Sequence, residues 1–339
     1  MSPILITGAR GLIGTALTRR LTAAGREVVA FDIADPHNGH RMDVTDSQSI
    51  AAAIEGCSGI VHLAAVSRVV WGERDPALCR KVNVRGTRNI LAAVARNRSH
   101  NPWVLVASSR EVYGQATEFP VRETAPLRPL NVYARSKVDV EHMVASSRRQ
   151  GVRASAIRFS SVYGSVTDHA DRVAPAFVRL AVAGETLHVD GAGTTLDFTH
   201  VEDVAAALHT AIELISAGGG PLPPLHLVSG RGITLPELAE LAIKAAGEGV
   251  VEVGPPRSYD VSTFIGDPAR AEQILGWRAS IGIEEGIYRL AECFRAADYS
   301  GHAGEELLPA GCEDLMIKSD GSRRPVPVPV VATPRSHCS

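Results

Sequence analysis

Tyr133 and Lys137 stand four residues apart in a segment, Val132 to Ser147, whose apolar spacing predicts a helix, so their side chains share one face a turn apart. Upstream, Ser108 and Ser109 close a run, Trp103 to Ala107, that reads as a buried strand. A phenol, an ammonium and a hydroxyl are the parts of a proton-transfer device. Tyrosine serves as a base near neutrality only when its phenolate is stabilised, and a neighbouring cation does that. Ser109 would bond the same substrate oxygen and fix it while hydride leaves the carbon. By itself a tyrosine–lysine pair at this spacing is as easily a surface pair on an amphipathic helix. What precedes it gives it weight.

Ile4 to Gly14 reads Ile-Leu-Ile-Thr-Gly-Ala-Arg-Gly-Leu-Ile-Gly. The apolar residues make a strand, and Gly8, Gly11 and Gly14 follow at spacings that suit a tight turn into a helix. With side chains absent, a pyrophosphate can approach the amides and the positive end of that helix. The helix, Leu12 to Ala24, ends at Gly25, and the next strand, Glu27 to Ile33, carries Asp32 about twenty residues beyond the glycines. A carboxylate there binds both hydroxyls of an adenosine ribose and repels a 2'-phosphate, which favours NAD over NADP. An oxidised nicotinamide would add its own positive charge beside Tyr133.

The elements that must carry these residues alternate. Strands are expected at Ile60–Leu63, Trp103–Ala107 and Val152–Ile157, and a long helix at Ala77–Asn97 with Val82, Ile90, Leu91 and Val94 inward. Strand–helix alternation without hairpin signals predicts an α/β fold: a Rossmann-type doubly wound parallel sheet covered on both faces, with ligands beyond the carboxyl ends of its strands. Ser108 and Ser109 sit at that edge. Residues 1–165, with parts of 190–230, read as the dinucleotide-binding domain. Less regular segments follow, with strands near Leu187–Val189 and Leu225–Val228 and helices near Pro175–Ala183, Val201–Ile215, Leu235–Ala246 and Ile283–Ala297. They read as a smaller, partly interleaved substrate lobe over 166–298. Beyond Tyr299 periodicity is lost and Pro–Val repeats appear, so 299–339 reads as a disordered tail.

The chain of 339 residues carries a formal charge of -2, with no long basic run, which argues against nucleic acid as a partner. No apolar run approaches the roughly 18–20 residues of a membrane helix, and the amino terminus enters the first strand directly, so a cytoplasmic protein is expected. Five cysteines, Cys57, Cys79, Cys293, Cys312 and Cys338, lack paired spacing and read as free thiols. The histidines show no metal spacing, and His200 reads as a hydrogen-bonding residue ahead of a helix.

Taken together, Thr7 to Gly14, Asp32, Asp43-Val44, His62 to Ala65, Asn83 to Thr87, Ser108-Ser109 with Val112-Tyr113-Gly114, and Tyr133 to Lys137 resemble the extended short-chain dehydrogenase/reductases, the nucleotide-sugar epimerase and dehydratase group. Arg158 to Gly164, Asp197 to Val204 and Leu275-Gly276-Trp277 extend the resemblance to about residues 3–297. It implies NAD, held at Gly8, Arg10, Gly11, Leu12, Ile13 and Gly14 around the pyrophosphate, at Asp32, Asp43 and Val44 around the adenosine, and at Leu63, Ala64, Ala65, Asn83, Tyr133 and Lys137 toward the nicotinamide. It implies Ser109, Tyr133 and Lys137 as the catalytic set, and substrate contacts at Ser67, Ser109, Ser161, Arg172, Phe177 and Arg257. It also implies a homodimer through the helices centred near Leu91 and Val140.

Two departures concern the substrate: Leu196 stands where many relatives have an arginine before Asp-Phe, and Ser161 where asparagine is common. A third concerns the reaction. Dehydrating relatives carry an Asp-Glu pair where this chain has Arg110-Glu111, and arginine cannot serve as the proton donor. Reversible oxidation at a carbinol remains, with Glu111 as a further catalytic candidate. The leading expectation is a nucleotide-sugar 4-epimerase, acting on a UDP- or dTDP-sugar through a 4-keto intermediate. A dehydratase, decarboxylase or dehydrogenase of the same family, and a non-catalytic NAD-binding protein, are the other readings.

Overall fold

Short runs of aliphatic residues, apolar on both faces, favour strands buried between helical layers. In the computed structural model six such runs form one wholly parallel sheet, in the order Leu225–Leu227, Ala154–Phe159, Trp103–Ser109, Gly59–His62, Ile4–Thr7, Val28–Phe31. The structure describes residues 2–34, 36–37, 40–97, 100–247, 249–255 and 261–300, with only the backbone at 36–37, 40–41 and 298–300. The strand Ile4–Thr7 is followed in sequence by its neighbour on one side, Val28–Phe31, and then by its neighbour on the other, Gly59–His62. That reversal opens a crevice at the carboxyl ends of the first and third strands, where ligands of such sheets bind.

One face of the sheet is packed by Leu12–Ala23 and Val201–Ser216, around Leu17, Leu21, Leu208 and Ile212. The other is packed by Ser47–Ile54, Gly86–Arg96 and Val132–Arg149, around Ile50, Ile54, Ile90, Val94 and Val140. A Cβ at Gly59 would lie 2.0 Å from the Trp103 indole, so glycine there is what lets that ring lie flat on the sheet. A third core, with Phe177, Val178, Leu187, Val189, Leu238 and Ile287, joins the helices Val173–Val182, Leu235–Ala246 and Ile283–Ser300. A parallel pair, Thr186–Asp190 with Val250–Gly254, lies beside it. The strand Thr195–His200 connects this region to the sheet side by pairing with Ser161–Tyr163.

Three differences from expectation have local causes. The long helix expected over Ala77–Asn97 is a rod in three parts: Pro76–Cys79, a π-helical turn Arg80–Arg85, and Gly86–Arg96. Ser47–Ile54 forms a helix that periodicity did not show, because only Ile50 and Ile54 anchor it; the Asp46 carboxylate caps it by accepting from Gln48 N at 2.9 Å. Finally, Cys57 and Cys79 are buried free thiols as expected, but Cys293 is disulfide-bonded. Cys312 and Cys338, and the tail from residue 301, lie outside the described residues. No helix is long and apolar enough to cross a membrane among the described residues.

Candidate active site

The glycine turn divides its labour. Gly8 has φ +72°, and a Cβ on it would lie 2.7 Å from Ala64 N; one on Gly14 would lie 2.1 Å from Gly8 O. These two glycines let the turn and helix press against the sheet. A Cβ on Gly11 would meet only Gly8 O, at 3.3 Å, and Gly11 caps the helix Leu12–Ala23 without a side-chain bond. The first amides of that helix therefore face the crevice, and Gly11 is the position whose bareness serves a ligand rather than packing. Asp32 is held over the same crevice, its Oδ2 accepting from Arg10 N and its Oδ1 from Ala34 N, both at 3.0 Å. An uncapped helix end with a carboxylate at the next strand's tip fits a dinucleotide's pyrophosphate and ribose.

The crevice is part of a cleft of about 930 Å³. Of the sequence-derived positions, Gly8, Arg10, Gly11, Leu12, Ile13, Gly14, Asp32, Asp43, Val44, Leu63, Ala64 and Ala65 line it, as do Ser67, Ser109, Glu111, Tyr133, Lys137, Ser161, Arg172 and Phe177. Asn83 is the exception. It is buried behind the wall, with Oδ1 accepting from Val66 N at 2.8 Å and Nδ2 donating to Val66 O at 3.1 Å and to Ser136 Oγ at 2.9 Å. Its amide ties the loop after the third strand to the helix of Tyr133. Arg257 lies outside the described residues.

Asn131 starts the tyrosine helix by accepting from Ala134 N at 2.8 Å, which sets Tyr133 and Lys137 on the buried side facing the strand end. Ser109 Oγ accepts from Glu111 N at 3.2 Å, and its hydroxyl bonds the Tyr133 phenol. Lys137 Nζ donates to Ala107 O at 2.8 Å and lies 5.7 Å from the centre of the Tyr133 ring. Burial lowers the Lys137 ammonium to about 8. Burial pushes the Tyr133 phenol up to about 12; the Ser109 hydroxyl and the Arg172 guanidinium pull it down, and Glu111 and Cys79 push it further up. The expected arrangement is thus corrected. The groups that chiefly lower the phenol are Ser109 and Arg172, while Lys137 gives one of its three donors to Ala107 O.

Glu111 is buried and occupied on both oxygens, by Arg110 Nη2 at 3.0 Å and Asn131 Nδ2 at 3.1 Å. Leu196 and Phe198 line the far end of the cleft, and Leu196 is the residue found where an arginine is common. Beneath the site runs a buried chain of bonds. Glu141 Oε1 accepts from Ser108 Oγ at 2.5 Å and Arg158 Nε at 2.8 Å, and Arg158 Nη1 donates to Glu123 O at 2.8 Å and to Tyr113 Oη, which meets His226 Nε2 at 2.6 Å. It fastens the tyrosine helix to the strand that ends in Ser109. Sequence reading missed this chain, and it missed Asp168, which lines the cleft. The Asp168–Arg172 spacing and the Asn131 cap were the available signals. His200 does cap the helix Val201–Ser216, accepting from Glu202 N at 3.2 Å.

Residues 4–222 match the model of the NAD-dependent epimerase/dehydratase family. This chain belongs to that family. Among relatives, it is 30% identical over 316 residues to a UDP-glucose 4-epimerase of Mycolicibacterium smegmatis, covering 86% of this chain and 98% of that one. The structure of a Thermus thermophilus UDP-glucose 4-epimerase complexed with NAD superimposes with a TM-score of 0.78 at 27% identity, covering 87% and 99% of the two chains. MoeE5, solved with UDP-glucose and NAD, gives 0.79 at 28% identity over 88% and 100%. As in its family, the cofactor of this chain is NAD, and the glycine turn with Asp32 is the part of the cleft that fits it.

Proposed function

We propose that this chain is an NAD-dependent nucleotide-sugar epimerase that inverts C4 of a UDP- or dTDP-sugar. The observation that carries the reading is the convergence of Ser109, Tyr133 and Lys137 at the strand end beside the glycine crevice, in one cleft. The UDP-glucose 4-epimerases among its relatives support it. Bound NAD supplies a hydride acceptor that can return what it takes.

The residues themselves handle the proton. Ser109 donates to the sugar's C4 oxygen and fixes it. Tyr133 takes the hydroxyl proton as its base, and the Arg172 charge lowers the cost of the phenolate. Lys137, which donates to Ala107 O, would hold the nicotinamide ribose of bound NAD from the helix face it shares with Tyr133. Inversion requires the 4-keto sugar to present its other face to the nicotinamide before the hydride returns. Glu111, with both oxygens bonded, orients Arg110 and Asn131 rather than moving protons. That sets elimination routes, which need a mobile acid here, behind epimerisation.

Incubation of the purified protein with UDP-glucose and, separately, UDP-galactose tests the reading. Interconversion without accumulation of NADH is expected; stoichiometric NADH or loss of water from the sugar would overturn it. We also propose a cytoplasmic homodimer. Leu91 and Val140 are buried inside the subunit, so the outward faces of Gly86–Arg96 and Val132–Arg149 would meet, and light scattering giving a monomer's mass would refute that.

A further inference from the structure

Two pairs of sequence neighbours exchange bonds across the cleft. Arg68 Nη1 donates to Asp171 Oδ1 and Nη2 to Asp171 O, both at 2.9 Å, and Arg172 Nη2 donates back to Ser67 Oγ at 3.4 Å. Beside them Trp71 and His169 meet edge to face, with 4.6 Å between ring centres. The two sides of this clasp are anchored differently. Arg68 heads the short helix Val69–Arg74, which is keyed to Tyr133. A Cβ on Gly72 would lie 3.2 Å from Tyr133 N and 3.3 Å from Tyr133 Cβ, and Glu73 Oε1 accepts from Val132 N at 2.7 Å. Val66, just upstream, is held by Asn83. Arg172 instead heads the lobe helix Val173–Val182, and the carboxylate nearest its Nε, Asp168 at 3.2 Å, belongs to its own segment. Arg68 thus reaches from the support of the tyrosine to the backbone next to Arg172.

Resting on the reading of Tyr133 as the base of the proposed reaction, we infer that Arg68 is a positioning residue. By gripping Asp171 at both its carboxylate and its carbonyl it holds Arg172 at the tyrosine, and the base is set only while this clasp is shut. The charged and titratable groups around the phenol are Glu111, with Arg110 bonded to it, from the turn after the strand; Cys79 from Pro76–Cys79; Glu73 from Val69–Arg74; Lys137 from the same helix; and Arg172. Of these, Arg172 alone comes from the lobe, so its charge is the one that an opening of the lobe withdraws. The phenol is then left to burial, Glu111 and Cys79, all of which oppose its ionisation. The Asp171 side chain is 55% exposed, which leaves the Arg68–Asp171 pair open to screening by salt.

The test uses the full-length protein loaded with NAD, as wild type, Arg68→Ala, Asp171→Ala and the double variant. Two quantities are followed against pH: kcat for interconversion of UDP-glucose and UDP-galactose, and tyrosinate absorbance, with a Tyr133→Phe sample subtracted to isolate that phenol. Arg68→Ala is expected to raise the acid limb of kcat and the tyrosinate midpoint by about half a pH unit or more. Asp171→Ala should shift both by less, because the bond to Asp171 O survives. The double variant should go no further than Arg68→Ala, since the two residues act as one unit. High salt should move wild type toward Arg68→Ala and leave that variant where it is. A limb and midpoint unmoved in Arg68→Ala, shifts that add in the double variant, or a wild-type profile indifferent to salt would overturn the inference. Should Arg68→Ala fail to fold, Asp171→Ala and the salt series decide in its place. Tyrosinate shifts as expected in a protein that leaves both sugars unconverted would refute the proposed reaction and leave the clasp standing. Epimerisation with limb and midpoint unmoved would do the reverse.

Discussion

Tyr133 is a weaker acid in this protein alone than in water, and that makes its neighbours measurable. Tyr133→Phe should lower turnover by about 10²- to 10⁴-fold, with bound NAD retained, as read by kcat and by the cofactor content of the purified protein. Arg172→Ala removes a cation that lowers the phenol. The base then needs a higher pH to ionise, so the acid limb of the kcat–pH profile should move up; an unmoved limb would mean Arg172 does not act on Tyr133. Lys137 gives a stability test. Its pKa falls from 10.5 to about 8 on burial. Below pH 8 both states are protonated and the folded state carries the full penalty. Between about 8 and 10.5 the unfolded chain holds a proton that the folded one lacks, so stability rises with pH. Denaturation of wild type and Lys137→Met should show wild type gaining ~3 kcal/mol relative to the variant across that window. The Tyr–Lys spacing was readable in the sequence because one helix face determines it. The electrostatics were not, because they depend on Ala107 O and Arg172, which sequence distance does not bring near.

At the scale of elements, the glycines separate packing from binding. Gly14→Ala puts a Cβ 2.1 Å from a backbone oxygen and should cost ~1–3 kcal/mol or more, seen as a lower unfolding midpoint. Gly11→Ala should fold normally and lose affinity for NAD, as titration would show. Equal behaviour of the two would refute the division. The parallel sheet and most of its helices were legible from apolar runs and their caps. The break in the rod over residues 76–96 was not, since Cys79, Asn83, Thr87, Ile90 and Val94 are all buried at spacings of three or four, which an unbroken helix would also show. Asn83 is likewise placed by tertiary structure: its residue type suits a cofactor contact, but it lies behind the cleft wall, bonded to Val66 and Ser136. The Glu141–Arg158 pair escaped notice because it spans a helix and a strand. Glu141→Ala should cost ~3–5 kcal/mol by leaving a guanidinium buried and unpaired.

Over the whole molecule, NAD should act as a clasp, because the cleft wall draws on residues from Gly8 to Ser262. At about a hundredfold excess over its Kd, NAD should add ~2.7 kcal/mol to stability, and a cofactor-stripped sample should melt several degrees lower. The parallel sheet and a ligand site at the carboxyl ends of its strands followed from alternating strands and helices; the strand order did not, and Leu225–Leu227 joins the main sheet as its edge. The lobe's fit to the sheet did not, because its short strands pair across long sequence gaps, as Thr195–His200 does with Ser161–Tyr163. Asn83 carries one more consequence. A single side-chain amide fastens the π turn, the loop at Val66 and the helix of Tyr133 into one rigid jaw, so any breathing of the cleft belongs to the opposite jaw, the helix Val173–Val182 and the strand Thr186–Asp190. Amide hydrogen exchange on the stripped protein should quicken there and stay slow at Val66, Asn83 and Ser136.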